Sequence, residues 1–92
     1  MIAQFPKYHI LRGSVAYSSE NDPIAAITQE LRSLDYIEMT TIDGVRLDFE
    51  DGWILVRRSG TEPKIRITAE ARDAEMTKRL YEKALAIVKR HI

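Results

Sequence analysis

The sequence predicts an α+β fold, in which a mostly antiparallel sheet of four or five strands carries two helices on one face. Short segments of alternating apolar and polar residues follow one another with turn signals between them, as in successive hairpins. Two other segments repeat apolar residues at every third or fourth position, which is typical of a helix with one buried stripe. Because each helix has a single apolar stripe and the strands have one polar side, the helices are expected to share one face of the sheet.

The two helical segments lie early in the chain and at its end. Asp22-Pro23 predicts a helix start, with the Asp side chain accepting from free N–H groups and Pro at the first position. The apolar stripe of this first helix is Ile24, Ile27, Leu31 and Leu34. Asp73 is predicted to cap the last helix. The apolar stripe of this last helix is Met76, Leu80, Ala84 and Ile87 or Val88.

Five segments have the composition of strands: residues 8–17, 36–42, 45–50, 53–56 and 65–71. Gly13 interrupts the first of them and suggests a bulge. Asp43-Gly44 and Asp51-Gly52 are hairpin turn signals. Residues 53–56 form a nearly continuous apolar run, which is typical of a central strand. That strand leads directly into the segment that carries the functional prediction.

Composition limits the possible functions. The 92 residues make one domain, and the net charge is zero, with fourteen basic and fourteen acidic residues. A balanced charge argues against a nucleic-acid-binding protein. The chain has no cysteine and no apolar run near the roughly 20 residues of a membrane span. We therefore expect a soluble, cytoplasmic protein without a nucleic-acid or membrane partner.

No catalytic residue and no metal site are predicted in this chain. The sequence has no cysteine nucleophile and no Ser-His-Asp order, and His9 and His91 are far apart without a ligand-like partner. Asp48, Glu50 and Asp51 form an acidic cluster, but acids at the end of a hairpin usually belong to a solvated turn. Chemistry by this chain alone is therefore not expected.

The segment from Arg57 to Arg66 concentrates groups that can bind an anion. Arg57 and Arg66 carry guanidinium forks that match phosphate oxygens in pairs. Ser59 and Thr61 add hydroxyl donors, and Gly60 allows close approach of its backbone N–H and a positive φ. The same residue types also suit an ordinary hairpin turn with charges that favour solubility. Residue types alone leave both interpretations open.

The run Arg-x-Ser-Gly-Thr-Glu-Pro-Lys-x-Arg, continued by Ala69-Glu70-Ala71, strongly resembles the phosphate-binding loop of the alpha-D-phosphohexomutases. Residues 5–8 (Phe-Pro-Lys-Tyr) resemble the segment by which the chain enters the last domain of that family. Residues 43–46 and 51–53 resemble the hairpin before the loop, so the resemblance covers essentially the whole chain. Arg58 departs from the pattern, because many relatives have proline or a small residue there. A more mobile or more basic loop is expected from this departure.

The resemblance implies a fold like the TATA-binding-protein repeat and a role as the last domain of a mutase. Such enzymes move a phosphoryl group between C1 and C6 of a hexose through a phosphoserine and a bisphosphate, with bound Mg²⁺. Their phosphoserine, metal and sugar-reading loops lie in three preceding domains, which would be partners of this one. By resemblance, residues 1–92 are one phosphate-binding domain, and residues 1–7 are the remnant of a linker.

The resemblance also assigns site residues. Arg57, Ser59, Gly60 and Thr61 would hold the phosphate of the substrate that is not transferred, and Lys64 and Arg66 are weaker candidates. One alternative is a free-standing anion-binding or regulatory domain without catalysis, which would bind phosphate without a partner. A second alternative is a nucleic-acid or protein-interaction module. It would need a basic, aromatic-rich sheet face, whereas Tyr36, Phe49 and Trp53 are placed like core residues.

Overall fold

A computed structural model describes residues 9–18, 22–42 and 44–92. Within them, in chain order, lie β1 (His9–Ala16), α1 (Ile24–Leu31), β2 (Glu38–Thr40), β3 (Val45–Asp48), β4 (Gly52–Arg58), β5 (Lys64–Ala71) and α2 (Ala74–Arg90). The predicted α+β fold is confirmed. The predicted linker and the segment 5–8 lie outside the described residues, as does Asp43 of the first turn signal.

The strands form one antiparallel sheet in the order β1-β5-β4-β3-β2. Its central strand is β4, as the apolar run in this segment predicted. Ile54 lies between Leu47 of β3 and Ala69 of β5, and all three are fully or almost fully buried. These positions face the helices. Alternate side chains of neighbouring strands are thus buried on the same face of the sheet, which gives the domain a single core.

Both helices pack on this buried face. Helix α1 contributes Ile27 and Leu31 to the core, and each of these side chains has no exposed surface. The longer α2 lies against β1, β5 and β4. Its buried residues are Thr77, Leu80, Ala84, Ile87 and Val88. The opposite face of the sheet is not covered by either helix, and we call it the open face.

The helix starts follow the sequence prediction with one shift. Helix α2 is capped by Asp73, whose Oδ1 accepts from the Met76 N–H at 2.8 Å. Helix α1 begins at Ile24, one residue later than predicted, with Pro23 at the N-cap position. Asp22 still accepts a free backbone N–H, because its Oδ1 lies 3.1 Å from the Ile24 nitrogen. The carboxylate therefore serves the helix start from the position before the cap.

Three predictions about the strands need correction. β2 covers only Glu38–Thr40, and the flanking Ile37 and Ile42 are 71% and 83% exposed. Gly13 marks no bulge, since β1 pairs with β5 without interruption from His9 to Ala16. Trp53 is not a core residue. It pairs with Asp48 and Glu70 on the open face, because it has the opposite parity to Ile54.

Gly13 has a packing role instead of a role in a bulge. A Cβ atom at this position would lie 1.9 Å from the hydroxyl oxygen of Tyr81, on α2. The absence of a side chain in β1 therefore makes room for the tip of Tyr81 against the sheet.

An ionic contact joins the two helices at their ends. Glu30 of α1 accepts hydrogen bonds from the Arg90 guanidinium, and its Oε1 lies 2.7 Å from His91 Nε2. The hydrogen bond from Arg90 is the main cause that holds the pKa of Glu30 below its ordinary value, and His91 lowers the pKa further. Folding therefore favours the ionised carboxylate.

We expect Glu30→Gln to lower the free energy of unfolding at pH 7 and to have no such effect in strong acid. The pKa of Glu30 is lower in the folded chain than the value of about 4.3 in an unfolded chain. Its contribution is therefore complete above that value and is lost as the pH falls through the lowered folded pKa. Urea unfolding of both proteins between pH 7 and pH 2.5 measures this. Parallel curves across the whole range would contradict it.

Gly52 and Gly60 differ in the space available for a side chain. A Cβ on Gly52 would lie 2.3 Å from the Glu70 carbonyl oxygen and 2.8 Å from Ala71 Cβ, whereas one on Gly60 meets no described atom within 4 Å. Gly52→Ala should cost about 1–3 kcal/mol through overpacking against backbone. Gly60→Ala, the matched control, should stay within about 0.5 kcal/mol of the parent. Denaturant midpoints decide this, and equal losses would show that the contact at Gly52 relaxes freely.

Candidate functional site

The predicted anion-binding segment forms the hairpin connection between β4 and β5. The Ser59 N–H donates to the Lys64 carbonyl at 2.8 Å, and the Lys64 N–H donates to the Glu62 carbonyl at 2.7 Å. Inside the loop, Ser59 Oγ accepts from the Thr61 N–H at 3.4 Å. The Tyr17 N–H donates to the Pro63 carbonyl at 2.8 Å and ties the end of β1 to the loop. The loop is therefore held at both ends.

A cleft of about 660 Å³ opens beside this loop. One group of lining residues is Arg57, Arg58, Ser59 and Gly60, and the other comes from the end of β1, from α1 and from the chain around the β2–β3 turn. The second group is Tyr17, Ile24, Thr28, Thr41, Gly44 and Val45. Gly44 has a φ of +119°, which only glycine adopts without strain, so this turn needs a glycine where the sequence has one. Of the six predicted phosphate ligands, the cleft brings together Arg57, Ser59 and Gly60.

Gly60 contributes space to the cleft. Gly44 is the glycine with positive φ in the described chain, so the positive φ considered for Gly60 is not used. A Cβ on Gly60 would not meet any described atom within 4 Å. The fold itself therefore does not require glycine at this position. A bare backbone N–H next to open space is suited to a ligand that approaches closely.

Arg57 and Arg58 leave β4 on opposite faces, because successive side chains of a strand alternate. Arg57 is the Cα partner of Arg66, and Arg58 is the partner of the buried Ile65. On the helix side, Arg58 Nη1 lies 2.7 Å from Asp22 Oδ2. Both side chains nevertheless reach the cleft, because it lies at the end of the strand. Arg58 is thus placed by an ion pair to the start of α1.

The remaining predicted ligands lie elsewhere. Lys64 and Arg66 line a separate depression of about 270 Å³ on the open face, beside Arg12 and Ser14 of β1. Lys64 Nζ lies 3.2 Å from Glu62 Oε1. Thr61 is exposed at the tip of the loop and lines neither cavity. Five of the six residues therefore divide between two surfaces, and the Cα partners Arg57 and Arg66 line one surface each.

Three hydroxyl residues of the cleft were not identified from the sequence. Tyr17 was only part of the predicted strand 8–17, and Thr28 and Thr41 carried no functional prediction. The hydroxyl of Thr28 donates to the Ile24 carbonyl at 2.7 Å, so one of its hydrogen-bonding capacities is used within α1. The spacing of Thr28 one turn after Ile24 was the available signal, because both face the same side of the helix.

The described chain shows no assembled metal site. Residues 9–18, 22–42 and 44–92 contain no group of three or more His, Asp or Glu side chains that could hold a metal ion. Within the acidic cluster, Asp48 accepts from Arg46 at 3.0 Å. Neither described helix has the length and apolar character that a membrane crossing requires.

Relatives of this chain carry one consistent description. A probable phosphoglucosamine mutase of Methanocella arvoryzae is 45% identical over 93 residues, which cover 99% of this chain and 21% of that protein. The probable phosphoglucosamine mutase of Methanopyrus kandleri is 41% identical, with 98% and 20% covered. The phosphoglucosamine mutase of Methanococcus maripaludis is 34% identical, with 97% and 20% covered. The chain thus spans about one fifth of the length of these curated relatives.

A family profile covers most of the fold. The profile of the phosphoglucomutase/phosphomannomutase C-terminal domain matches residues 16–87. This range includes both helices nearly completely, strands β2 to β5 and the whole loop. The family resemblance noted in the sequence is thereby confirmed, and the chain belongs to the phosphoglucomutase/phosphomannomutase C-terminal domain family.

Proposed function

We propose that this chain is the substrate-phosphate-binding domain of a phosphohexomutase. Such an enzyme interconverts hexose 1-phosphate and hexose 6-phosphate through a phosphoserine and a bisphosphate intermediate. The observation that carries the proposal is the cleft in which Arg57, Ser59 and Gly60 of the family's loop line one wall. The names of the relatives favour glucosamine phosphate as the hexose phosphate.

The proposed phosphate site uses the loop as a set of converging donors. Arg57 would supply a two-pronged guanidinium, Ser59 a hydroxyl and Gly60 a backbone N–H. Thr61 would join them from the tip of the loop. The hydrogen bonds that fix the loop at both ends support this role, because a loop already ordered loses less entropy when a ligand binds. Lys64 and Arg66 are the weaker candidates, since they line the other depression.

The proposed contribution to catalysis is positioning. Holding the phosphate that is not transferred would orient the sugar for in-line transfer at its other end. The energy of this remote contact can also favour closure of the domain over the substrate. The transfer itself would use the phosphoserine and sugar-reading loops of the preceding domains. We therefore expect no mutase turnover from the 92-residue chain alone.

Magnesium, which the family implies, does not fit the residues of this chain. Mg²⁺ prefers carboxylate oxygens in octahedral geometry. Among the described residues no group of three or more candidate ligands assembles. Two of the carboxylates nearest the loop are in ion pairs, Asp22 with Arg58 and Glu62 with Lys64. We propose that the ion belongs to another part of the full-length enzyme.

Inorganic phosphate should bind the isolated chain with a dissociation constant in the millimolar range, or about 4 kcal/mol, because the proposed site is only part of the full substrate site. Amide shifts in a titration of the ¹⁵N-labelled chain measure this. The largest changes should fall within residues 57–66. If residues 22–34 of the α1 wall respond most strongly instead, the phosphate is placed on the wrong wall of the cleft.

Arg57→Lys in the full-length enzyme should lower kcat/KM about tenfold to a hundredfold while leaving the stability nearly unchanged. Lysine keeps the charge but loses the fork, which removes a charge-assisted hydrogen bond of roughly 1.5–3 kcal/mol. Steady-state kinetics and thermal unfolding of the same preparations give the two quantities.

Two control variants accompany this measurement. Arg72→Lys lies just beyond the far end of β5 and should behave as the parent. Arg58→Lys should lose less activity than Arg57→Lys, because Arg58 is engaged by Asp22 on the other face. A loss at Arg58 equal to or larger than that at Arg57 would reject the assignment of the phosphate to Arg57.

A further inference from the structure

An apolar groove of about 510 Å³ lies between α2 and β1, which is an edge strand of the described sheet. Its sheet side is formed by His9, Ile10 and Leu11, and its helix side includes Tyr81 and Leu85. The two helix residues are one turn apart and lie outside the stripe that α2 buries in the core. Helix α2 therefore has apolar surface beyond what the core uses.

The core of the domain is left open at this groove. Leu11 is the Cα partner of the buried Ala69, so its side chain lies on the face that the helices cover. It is nevertheless 41% exposed, whereas Leu47 and Ile54 on the same face have almost no exposed surface. Its neighbour Ile10 is 40% exposed on the other side of the strand. Two adjacent large apolar side chains are thus left in water at one sheet edge, where a partner that covers them would be favoured.

The groove is held in shape by the domain itself. The hydroxyl of the fully buried Thr77 donates to the His9 carbonyl at 3.0 Å and ties the start of β1 to α2. Exposed Lys78 and Glu82 of α2 form a charged rim. An apolar floor with a polar rim is the usual anatomy of a protein–protein interface.

The position of the groove indicates its occupant. The chain belongs to a family of C-terminal domains and spans about one fifth of its curated relatives, so in such an enzyme the larger part precedes this domain. That part joins the domain before His9, and His9 itself lines the groove.

The size of the groove also favours a tethered neighbour. Nine residues line it, whereas a stable interface between separate proteins uses about 20–30 residues on each side. A covalently linked partner can use a smaller surface, because the short link gives it a millimolar effective concentration.

We propose that this groove docks the domain onto the part of the full-length enzyme that precedes it, which presents apolar side chains to Leu11 and Tyr81. The inference rests on the proposed function in one respect, namely that this chain is the last domain of a larger enzyme. It assigns the docking surface to residues that lie outside the phosphate-binding loop.

The groove and the loop lie at opposite ends of the sheet. In the pairing of β1 with β5, His9 is opposite Ala71, whereas Ala16 is opposite Lys64 at the end of the loop. At roughly 3.3 Å per residue, the two ends of β1 are about 23 Å apart. Docking at the His9 end leaves the loop end able to move over a substrate, so this contact can act as the pivot of the proposed closure.

The test is amide hydrogen exchange, measured by mass spectrometry on the full-length enzyme and on the 92-residue chain. Residues 9–12 and 78–85 should exchange at least tenfold more slowly in the full-length enzyme. Leu11→Gln places a polar group in the groove and should reduce this ratio to less than twofold. Ile42→Gln is the matched control and should keep the ratio of the parent, because Ile42 is 83% exposed beside β2 at the other edge of the sheet. Each variant is compared with its own isolated chain, so a change in the stability of the domain itself cancels.

Three results would overturn the docking surface: equal exchange at these residues in the two proteins, slow exchange that persists in Leu11→Gln, or an equal loss in Ile42→Gln. Slower exchange of the isolated chain at higher protein concentration would place a second copy in the groove and would also overturn it. If thermal unfolding shows that Leu11→Gln does not fold, Ile10→Gln repeats the test.

A phosphate titration of the isolated Leu11→Gln chain separates this proposal from the proposed function. Binding at residues 57–66 should equal that of the parent, because the groove is remote from the loop. Phosphate binding without slower exchange in the groove would reject the docking surface alone. Slower exchange in the groove without phosphate binding would support the docking surface and reject the phosphate site.

Discussion

The antiparallel pairing of β4 with β5, from Gly52 opposite Ala71 to Arg58 opposite Ile65, is the constraint on which the other features depend. It places Ile54 and Val56 under the helices and sends Arg57 to the other face beside Arg66. A slip of one residue would exchange the two faces and bury the arginines. The register that builds the core is therefore also the register that builds the loop and both of its neighbouring cavities.

Asp22 links the loop to the helical layer. One carboxylate oxygen accepts the Ile24 N–H at the start of α1, and the other lies 2.7 Å from Arg58. The side chains of this pair are 46% and 54% exposed, so the pair contributes little to stability. The ion pair affects geometry instead, because it positions the side chain of Arg58, the residue that departs from the family pattern, at the start of α1. Arg58 was expected to make the entry of the loop more mobile or more basic, and this contact ties its side chain to the start of α1.

Local patterns were sufficient wherever one short segment determines its own structure. The Asp73 cap and the central position of β4 were both predicted from neighbours in the sequence. Gly13 shows the limit, since its reason is Tyr81, which lies far along the chain. A strand glycine that accommodates a helix side chain cannot be distinguished from a bulge until the packing is known.

The site was predictable as a loop but not as two cavities. The motif places donors within ten residues, and only the sheet register shows that Lys64 and Arg66 belong to a surface shared with β1. Tyr17, Thr28 and Thr41 reach the cleft through tertiary packing, so no spacing in the sequence connects them to Ser59. Sequence reasoning therefore identified the donors that the loop carries and missed the residues that surround them in the cleft.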